Sequence, residues 1–425
     1  MVFIVLVLLV FVGGCTFSSS VTPEPPGSFL LSWQQDPATT MTIDWHPEAD
    51  AHSWLEYRKR GEDEWIFAEG ASLTIPGSPR RLMREELTGL EPQSYYEFRF
   101  SGADPVYSFR TMPRQADRPI RFIAGGDVMH HRQWMQRTAE AAMQVTGEEA
   151  DFAVLGGDLA YADGLARKAF RWFDYFEVWS ETMITPTGRV IPHIAAIGNH
   201  EVVEQFVYRY PAAEYERPDF ALREAPYFSR FIPFPGAQGY GVLDFGEYLS
   251  LFILDSGHLN FIEGRQTEWL EYELSRRPDT RHIIPVYHVP AWPSFRDKDS
   301  FLSRTVREQW VPRFEDHGVR LALEHHDHTF KRTHPIRNNQ IDETGIYYVG
   351  DGAWGVRLRQ PRTDEEGNLP WYIAKADSVF NFAVVEIDGD DLRVEMFDEG
   401  ARLLDRFEIT GAGRTEPVIR AERAK

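Results

Sequence analysis

The chain has 425 residues, of which 43% are hydrophobic, and it carries a formal net charge of -20 at pH 7. This length and hydrophobic content allow two or three folded domains and exclude a disordered chain. The negative charge argues against a protein that binds nucleic acid through a wide basic surface. A small phosphorylated substrate remains compatible, because bound multivalent cations reverse the charge locally.

The chain begins with an uncharged apolar run, residues 1–14, which predicts a secretory signal. Cys15 is the only cysteine and follows two glycines, and this stretch resembles the lipobox of a bacterial lipoprotein signal. The resemblance implies cleavage before Cys15, lipid attachment to its sulfur and a linker over residues 15–27. The alternative is a simple secretory signal with an incidental cysteine. We expect an exported protein, lipid-anchored to the bacterial cell envelope and either periplasmic or extracellular.

Residues 28–113 contain short runs of alternating apolar and polar residues, which predict a small β-sandwich. The runs are residues 29–33, 41–45, 54–57, 65–67, 95–100 and 106–109. Tyr96 follows a Leu-Glu-Pro turn and resembles the tyrosine corner of a fibronectin type III domain. Trp45 is expected in the core. The segment has no cluster of carboxylates or histidines, so we interpret it as a platform or spacer.

After a proline-bounded linker over residues 113–119, the pattern changes to alternating strands and helices. Buried strands are predicted at residues 120–124, 152–155 and 191–197, and helices at 131–145 and 165–182. This alternation predicts an α/β domain, over residues 118–412, whose ligands lie at the carboxyl ends of strands. Residues 203–235 are rich in Tyr, Phe and Pro with weak periodicity, which predicts a long loop or a lid over the site. A charged tail is expected over 413–425.

In five short segments of this second domain, an apolar run is followed by side chains of types that bind metals. Their metal-type residues are Asp127, Asp158, Tyr161, Asn199, His288, His326 and His328. A lone Gly-Asp or a lone histidine has no diagnostic value, because both are common in turns and caps. The ordered set predicts one site with enough oxygen and nitrogen ligands for two metal ions. A metal pair favours hydrolysis of phosphate esters.

With these segments the chain resembles the calcineurin-like metallophosphoesterases, and among them the purple acid phosphatases with a fibronectin-like amino-terminal domain. The resemblance spans about residues 28–410, and its most specific motif is Gly157-Asp158-Leu-Ala-Tyr161. It implies an α/β/β/α sandwich preceded by a small all-β, fibronectin type III-like sandwich. It implies a first metal ion held by Asp127, Asp158, Tyr161 and His328. It implies a second metal ion held by Asp158, Asn199, His288 and His326.

The chemistry of the two ligand sets agrees with this assignment. A phenolate with carboxylates suits ferric iron, whereas an amide oxygen and two imidazoles suit zinc, manganese or ferrous iron. The implied activity is that of a binuclear phosphomonoesterase of purple acid phosphatase type, with a metal-bound hydroxide as nucleophile. The nearest alternative is a phosphodiesterase or nucleotide hydrolase with the same metal centre. A cell-surface binding protein with a weakened catalytic domain is a further alternative.

Three residues are candidates for contacts with the phosphate or the leaving group. The resemblance places His200 where it binds phosphate or protonates the leaving oxygen. The alternative for His200 is a supporting role, in which it holds Glu201 or another carboxylate. The stretch after His288 lacks the histidines that family members often have there, and Arg296 and Lys298 are candidates to replace them as fixed cations.

Several positions depart from the family pattern or allow two interpretations. Met129 stands where the first motif usually has glycine or histidine, which favours the tyrosine-containing branch. His325 replaces the glycine before His326, and we expect it to support a ligand rather than to be one. Trp292 and Trp354 fit either an organic leaving group that packs on rings or simple core packing.

Overall fold

The computed structural model describes residues 26–48 and 52–411. The predicted signal segment 1–14, Cys15, most of the linker over 15–27 and the predicted tail over 413–425 lie outside the described residues. Export and lipid attachment therefore stay predictions. Within the described ranges, no helix combines the length and apolar character needed to cross a membrane.

Two four-stranded antiparallel sheets form the amino-terminal domain. Its strands are β1 (Phe29–Ser32), β2 (Met41–Trp45), β3 (Leu55–Lys59), β4 (Ile66–Ala68), β5 (Ala71–Thr74), β6 (Arg81–Leu87), β7 (Tyr95–Phe100) and β8 (Tyr107–Arg110). One sheet has the order β1-β2-β6-β5 and the other β4-β3-β7-β8. The predicted all-β domain is confirmed, but the sequence pattern missed β5 and β6.

Local contacts explain two details of this sandwich. The backbone N–H of Glu91 donates to the Tyr96 hydroxyl at 2.9 Å, which closes the predicted tyrosine corner. Trp45 is fully buried, as expected for a core residue. The strand β6 escaped prediction because three consecutive positions in it, Arg84 to Glu86, are charged and only partly buried, which interrupts the alternation of apolar and polar residues.

The second domain contains two mixed sheets and eight α-helices among the described residues. Its strands are β9 (Ile120–Gly125), β10 (Ala150–Leu155), β11 (His193–Ala195), β12 (Gly236–Ala237), β13 (Tyr240–Phe245), β14 (Leu249–Ile253), β15 (His282–Val286), β16 (Leu321–Glu324), β17 (Phe330–Thr333), β18 (Ile336–Arg337), β19 (Gln340–Ile341), β20 (Tyr347–Gly350), β21 (Ile373–Asp377), β22 (Asn381–Asp388), β23 (Asp391–Asp398) and β24 (Leu403–Ile409). Its helices are α1 (Arg132–Thr146), α2 (Phe170–Thr182), α3 (Ala212–Tyr215), α4 (Phe220–Glu224), α5 (Phe228–Phe231), α6 (Arg265–Ser275), α7 (Phe301–Gln309) and α8 (Val311–Asp316).

The two sheets have the orders β11-β10-β9-β22-β23-β24 and β12-β13-β14-β15-β16-β20-β17-β21. Neighbours β9, β10 and β11 are parallel, and so are β14, β15, β16 and β20. The carboxyl ends of parallel strands share one edge of a sheet. The loops that follow β9, β10, β11, β15 and β16 therefore carry the predicted ligands to that edge.

Alternating side chains place the two sheets face to face between helices. On β9, Phe122 packs between the sheets, whereas Ile123 packs outward with residues of α1 and α2. On β14, Leu251 packs inward, whereas Phe252 packs outward with residues of α6 and α7. This α/β/β/α layering confirms the predicted fold class.

The sandwich packs directly on the second domain. The Trp33 ring makes edge contacts with Phe152 and Phe245 at centroid distances of 6.0 and 5.9 Å. The imidazole of His46 stacks on Phe176 of α2 at 4.5 Å. These contacts join the amino-terminal sandwich and the space between the two sheets into one hydrophobic cluster.

The lid prediction for residues 203–235 is wrong for the second half of that segment. Phe231 of α5 packs on Trp172 of α2 at 5.5 Å, and the Tyr227 hydroxyl donates to the Pro76 carbonyl at 2.8 Å. These aromatic residues fill the boundary between the domains. The first part of the segment lies nearer the metal-type residues: the Phe206 ring lies 5.3 Å from that of His258, which in turn lies 5.4 Å from the ring of His288.

Candidate metal centre

Most of the predicted ligands have an uncommon backbone conformation. The φ angles are +52° at Asp127, +53° at Asp158, +54° at Tyr161, +81° at His326 and +60° at His328. A left-handed backbone is unfavourable for residues other than glycine, and such positions cluster at functional sites. The strand-end loops therefore hold these side chains in fixed directions at a local cost in stability.

Three of the predicted ligands form a first group around one carboxylate oxygen. Asp127 Oδ1 lies 3.1 Å from the Tyr161 hydroxyl and 3.0 Å from His328 Nε2. The same hydroxyl and His328 Nε2 are 3.4 Å apart. The group contains three of the four residues assigned to the first metal ion, with one phenol, one carboxylate and one imidazole close together.

The other four predicted ligands form a second group around His288. His288 Nε2 lies 3.2 Å from Asp158 Oδ2, 3.2 Å from Asn199 Oδ1 and 2.9 Å from His326 Nδ1. Ligand atoms from both groups meet, since those of Asp127, Asp158, His288 and His326 all lie within 4.8 Å of one another. All four side chains are buried.

Outer hydrogen bonds orient two of the imidazoles toward the cluster. His288 Nδ1 donates to the Gly156 carbonyl at 2.8 Å, and His328 Nδ1 donates to the Arg357 carbonyl at 2.9 Å. A carbonyl only accepts, so Nδ1 of each ring carries a proton and Nε2 is the nitrogen left to bind a cation in place of a proton. This arrangement is typical of histidines that bind metals.

Asp158 supplies a direct test of whether a cation fits. Its Oδ1 accepts the backbone N–H of His200 at 2.8 Å, whereas its buried Oδ2 lies 3.2 Å from His288 Nε2, an atom that can bind either a proton or a metal ion. A buried carboxylate is unfavourable unless it is paired with a positive charge. Carboxylate, phenol, amide and imidazole donors at this spacing fit metal ions, and Asp158 lies where it would bridge the two groups.

The electrostatics of the cluster favour ionised carboxylates. Burial raises the pKa of Asp158, but the positive charges of His288 and His200 outweigh burial and lower the net pKa below its ordinary value. Asp127 has a lowered pKa for a similar reason, with His288 and His328 acting against burial. Burial lowers the pKa of His288, but Asp158 and Asp127 outweigh it and raise the pKa to about 9. The cluster thus concentrates negative charge that a cation would neutralise.

His200 is held by a carboxylate that the sequence did not reveal. Its Nδ1 lies 2.5 Å from Asp163 Oδ1, and its Nε2 lies 4.0 Å from Asp158 Oδ2. Lys168 forms an ion pair with the other oxygen of Asp163. His200 thus contacts Asp163 rather than Glu201, and its free nitrogen faces the cluster.

Glu201 has a separate supporting role. Its two oxygens accept the backbone N–H groups of Asp158, Leu159 and Gly198, each at 2.8 Å. It therefore ties the loop after β10 to the loop that carries Asn199. The sequence analysis named Glu201 only as a partner for His200, and no signal in the sequence distinguishes Asp163 from other polar loop residues.

The structure places Arg296 beside the site and Lys298 farther out. Arg296 Nη1 donates to the His326 carbonyl at 2.5 Å and to Asp327 Oδ1 at 2.6 Å. Lys298 Nζ pairs with both oxygens of its neighbour Asp299 at 2.8 Å. Their roles as phosphate contacts stay predictions.

The other departures from the family pattern have structural explanations. His325 is buried, its Nδ1 donates to the Tyr287 carbonyl at 3.1 Å, and it packs against Gly156. A Cβ atom on Gly156 would lie 1.7 Å from the His325 ring, so a glycine is required there. Trp292 and Trp354 are also buried, which agrees with core packing rather than with a leaving-group contact.

Two family models match consecutive segments of this chain. The amino-terminal domain of purple acid phosphatases matches residues 26–111, and the calcineurin-like phosphoesterase domain matches residues 120–330. The chain thus contains a calcineurin-like phosphoesterase domain. It carries the amino-terminal domain of the purple acid phosphatases, in agreement with the resemblance noted in the sequence.

Known relatives agree with these domain matches, and a solved structure agrees with the fold. Purple acid phosphatases 13 and 15 of Arabidopsis thaliana are each 24% identical over 326 residues, which are 67% and 69% of this chain. The chain spans only 56% and 57% of the length of these relatives. The structure of purple acid phosphatase PPD1 from yellow lupin seeds aligns with a TM-score of 0.74 at 18% identity, covering 91% of this chain and 74% of that one.

Proposed function

We propose that this protein hydrolyses phosphate esters at a binuclear metal centre, as a phosphomonoesterase of purple acid phosphatase type. One observation carries the proposal: seven metal-type side chains lie in two adjoining groups, and the ligand atoms of four of them, all buried, lie within 4.8 Å of one another. The domain matches support the same conclusion.

The proposed metal ions and their ligands follow from the donor types. Asp127, Tyr161 and His328 would hold iron, and Asn199, His288 and His326 would hold zinc, manganese or iron, with Asp158 shared. Two bound ions would supply Lewis acidity, which polarises the phosphate ester and lowers the pKa of water. One water molecule is consumed, the bond from phosphorus to the leaving oxygen breaks, and that oxygen takes up a proton.

Residues of the chain orient the substrate and the proton. We assign the proton transfer to His200 Nε2, which faces the cluster while Asp163 accepts from Nδ1. Burial lowers the pKa of His200, but Asp158 and Asp163 outweigh it and raise the net pKa, which favours a protonated donor. Arg296 fixes the His326 carbonyl and thus the direction of that ligand.

The test measures bound metal and hydrolysis on the same preparation. We expect two metal ions per chain by mass spectrometry, a visible tyrosinate-to-iron band, and faster hydrolysis of p-nitrophenyl phosphate than of its bis ester. Tyr161→Phe should abolish the band, whereas Tyr272→Phe, on the exposed face of α6, should preserve it.

The outcomes separate the alternatives. Absence of bound metal together with absence of turnover would contradict the enzyme proposal and favour a binding protein. Two metals without the band would contradict only the assignment of iron. Preferential hydrolysis of the bis ester would identify a phosphodiesterase.

The proposed location is the cell envelope, through lipid on Cys15. The proposal rests on the sequence alone, since Cys15 lies outside the described residues. Cells fed a labelled fatty acid should incorporate it into the full-length protein, and Cys15→Ser should abolish that incorporation. Equal labelling of both proteins would show that Cys15 is not the attachment site.

A further inference from the structure

A buried ion pair lies at the base of the loop that carries His326 and His328. The carboxylate of Glu324, at the end of β16, accepts from the ammonium of Lys331, on β17, at 2.6 Å. Both side chains are fully buried. Because these two residues flank residues 325–330, the ion pair joins the two ends of that loop. We call the Glu324–Lys331 pair the clasp.

The clasp also bonds to the segment after β15, which carries a histidine of the second ligand group. Glu324 Oε1 accepts from the Tyr287 hydroxyl and from the backbone N–H of Ala291, each at 2.7 Å. Lys331 Nζ donates to the Trp292 carbonyl at 2.8 Å. These three bonds reach the segment on both sides of its ligand. The clasp therefore connects two ligand-bearing loops.

A third carboxylate extends these connections to the first ligand group. Asp351 follows β20; its Oδ1 lies 3.8 Å from Lys331 Nζ, and its Oδ2 accepts from the Thr329 hydroxyl at 3.1 Å. The next residue, Gly352, packs on Asp127, since a Cβ atom there would lie 1.7 Å from Asp127 Oδ2. Lys331 is thus linked, directly or through one neighbour, to segments that carry ligands of both groups.

The loop between the clasp residues has a strained backbone. The φ angle is +81° at His326 and +60° at His328, and such backbone persists only where surrounding contacts hold it. A buried ion pair adds little net stability, because the cost of taking both charges out of water offsets their attraction. The position of the clasp is therefore more informative than its contribution to the free energy of unfolding.

His326 depends on this loop more than the other two histidine ligands do. The rings of His288 and His328 are oriented by Nδ1–H bonds to backbone carbonyls. His326 instead presents Nδ1 to the cluster, 2.9 Å from His288 Nε2, and no carbonyl accepts from its ring in the described part of the chain. Arg296 donates to the His326 carbonyl from the more exposed side. The clasp closes the same loop from the buried side.

We propose that Lys331 and Glu324 are positioning residues for the second metal ion. The clasp holds loop 325–330 in the strained form that directs His326 toward His288. This inference rests on the metal centre of the proposed function, and it assigns a role to two residues that are not ligands. The first metal ion depends less on the clasp, because His328, its ligand from this loop, has its own carbonyl bond.

Three variants of the full-length protein test the proposal. Lys331→Met keeps a long side chain and removes the charge. The double variant Lys331→Met with Glu324→Gln keeps an acceptor oxygen for the segment after β15 and carries no charge at either position. The matched control is Arg332→Met, because Arg332 is the next residue of β17 and pairs with Asp405 of β24, away from the ligand loops.

The first measurement is the affinity for metal. Each metal-loaded protein is equilibrated with increasing concentrations of EDTA, and the bound metal is counted by mass spectrometry. We expect both Lys331 variants to release one metal ion per chain at EDTA concentrations about 10 to 100-fold lower than wild type needs, the range for an outer partner of a ligand. The tyrosinate-to-iron band of the first site should remain, and Arg332→Met should match wild type.

A comparison with stability separates positioning from general support. Lys331→Met leaves Glu324 as a buried unpaired charge, so it should lower the urea midpoint of unfolding, and the double variant should recover most of that loss. Metal affinity should stay low in the double variant, because no bond closes the loop. Recovery of metal affinity together with the midpoint would overturn the inference, as would an equal metal loss in Arg332→Met. If Lys331→Met fails to fold, the double variant still decides.

Hydrogen exchange keeps this inference separable from the proposed function. In the metal-free full-length protein, peptides that cover residues 325–330 should exchange at least about tenfold faster in the double variant than in wild type, and equally in Arg332→Met. A wild-type protein that binds no metal would contradict the proposed function, while the faster exchange would still support the clasp. Equal exchange in wild type and the double variant would overturn the inference whether or not metal binds.

Discussion

Two buried carboxylates lie at opposite ends of β10, and their surroundings differ. Asp151, at the start of the strand and near the domain boundary, accepts from Arg118 through both oxygens at 2.6 and 2.9 Å and also binds Arg110. Asp158, beyond the end of the strand, accepts one backbone N–H through Oδ1, and its Oδ2 lies 3.2 Å from His288 Nε2. The first carboxylate is neutralised by arginines of the fold. The second faces a buried cluster whose donor atoms suit a bound cation.

Two buried histidines show the same contrast. Burial among aromatic rings lowers the pKa of His46, at the domain boundary, to about 3. Burial also lowers the pKa of His288, at the cluster, but the neighbouring carboxylates raise it to about 9. Both histidines are fully buried, yet near pH 7 His46 is neutral whereas His288 is protonated because of its neighbouring carboxylates. What distinguishes a site from a packed boundary is the excess of one charge, not burial.

The largest expected effect comes from removing the charge of Asp158. Asp158→Asn should lower p-nitrophenyl phosphate hydrolysis on the order of a thousandfold, since loss of a ligand's outer partner alone costs about 10 to 100-fold. Metal content by mass spectrometry should fall with it. The free energy of unfolding of the metal-free protein should fall as well, because the variant removes the charge that faces buried His288 at 3.2 Å. Full metal content in Asp158→Asn would show that the charge of Asp158, like that of Asp151, is not needed to hold a metal ion.

The converse change, Asp151→Asn, should act on stability alone. Removing one partner of a buried ion pair leaves unpaired charge, and we expect a loss of about 3 kcal/mol in the free energy of unfolding measured with urea. Glu408→Gln is the control, since its ion pair with Arg393 is at the surface and contributes less than about 1 kcal/mol. A loss of metal from Asp151→Asn with unchanged stability would contradict the contrast between the two ends of β10.

The pKa of His46 predicts how the free energy of unfolding changes as the pH falls. The pKa of His46 is about 3 in the folded chain and about 6.5 in an unfolded one. Between these values only the unfolded chain binds the proton, so stability falls as the pH falls and returns as the pH rises. From pH 7 to pH 5 this one histidine removes about 2 kcal/mol.

The variant His46→Phe tests this pH dependence, because it retains the ring contact with Phe176 and removes the titrating group. The difference in the free energy of unfolding between pH 7 and pH 5 should shrink by about 2 kcal/mol, as measured by urea unfolding. His52→Phe, at an exposed position, is the control. An unchanged difference in His46→Phe would mean that folded His46 takes up protons freely.

The sequence predicted the elements whose signal is local. Apolar runs identified β9 and β10, and a polar residue directly after such a run identified Asp127 and Asp158, because strand ends point ligands to one edge of a sheet. The tyrosine corner was visible because Tyr96 bonds only five residues back in the chain.

The features that the sequence did not reveal depend on partners far apart in the chain. Asp163 acts on His200, 37 residues later, and Arg357 lies 29 residues after His328, which it contacts. The aromatic residues of 203–235 could not be assigned because their packing surface includes the other domain, where Tyr227 meets Pro76. A pattern within one segment cannot encode such contacts.

The smallest expected effect concerns Asp163, a partly buried carboxylate that belongs to the site without being a predicted ligand. Burial raises its pKa, but His200 and Lys168 outweigh burial and lower it, so Asp163 is ionised and accepts from His200 Nδ1. Asp163→Asn should lower kcat about tenfold, the lower range for an outer partner, with metal content and KM retained. Glu204→Gln, exposed on a nearby loop, is the control. In a His200→Ala background the same change should have no further effect on kcat, because a residue that acts only by orienting His200 has nothing left to orient. An additional tenfold loss in that background would show that Asp163 acts on the reaction by another route.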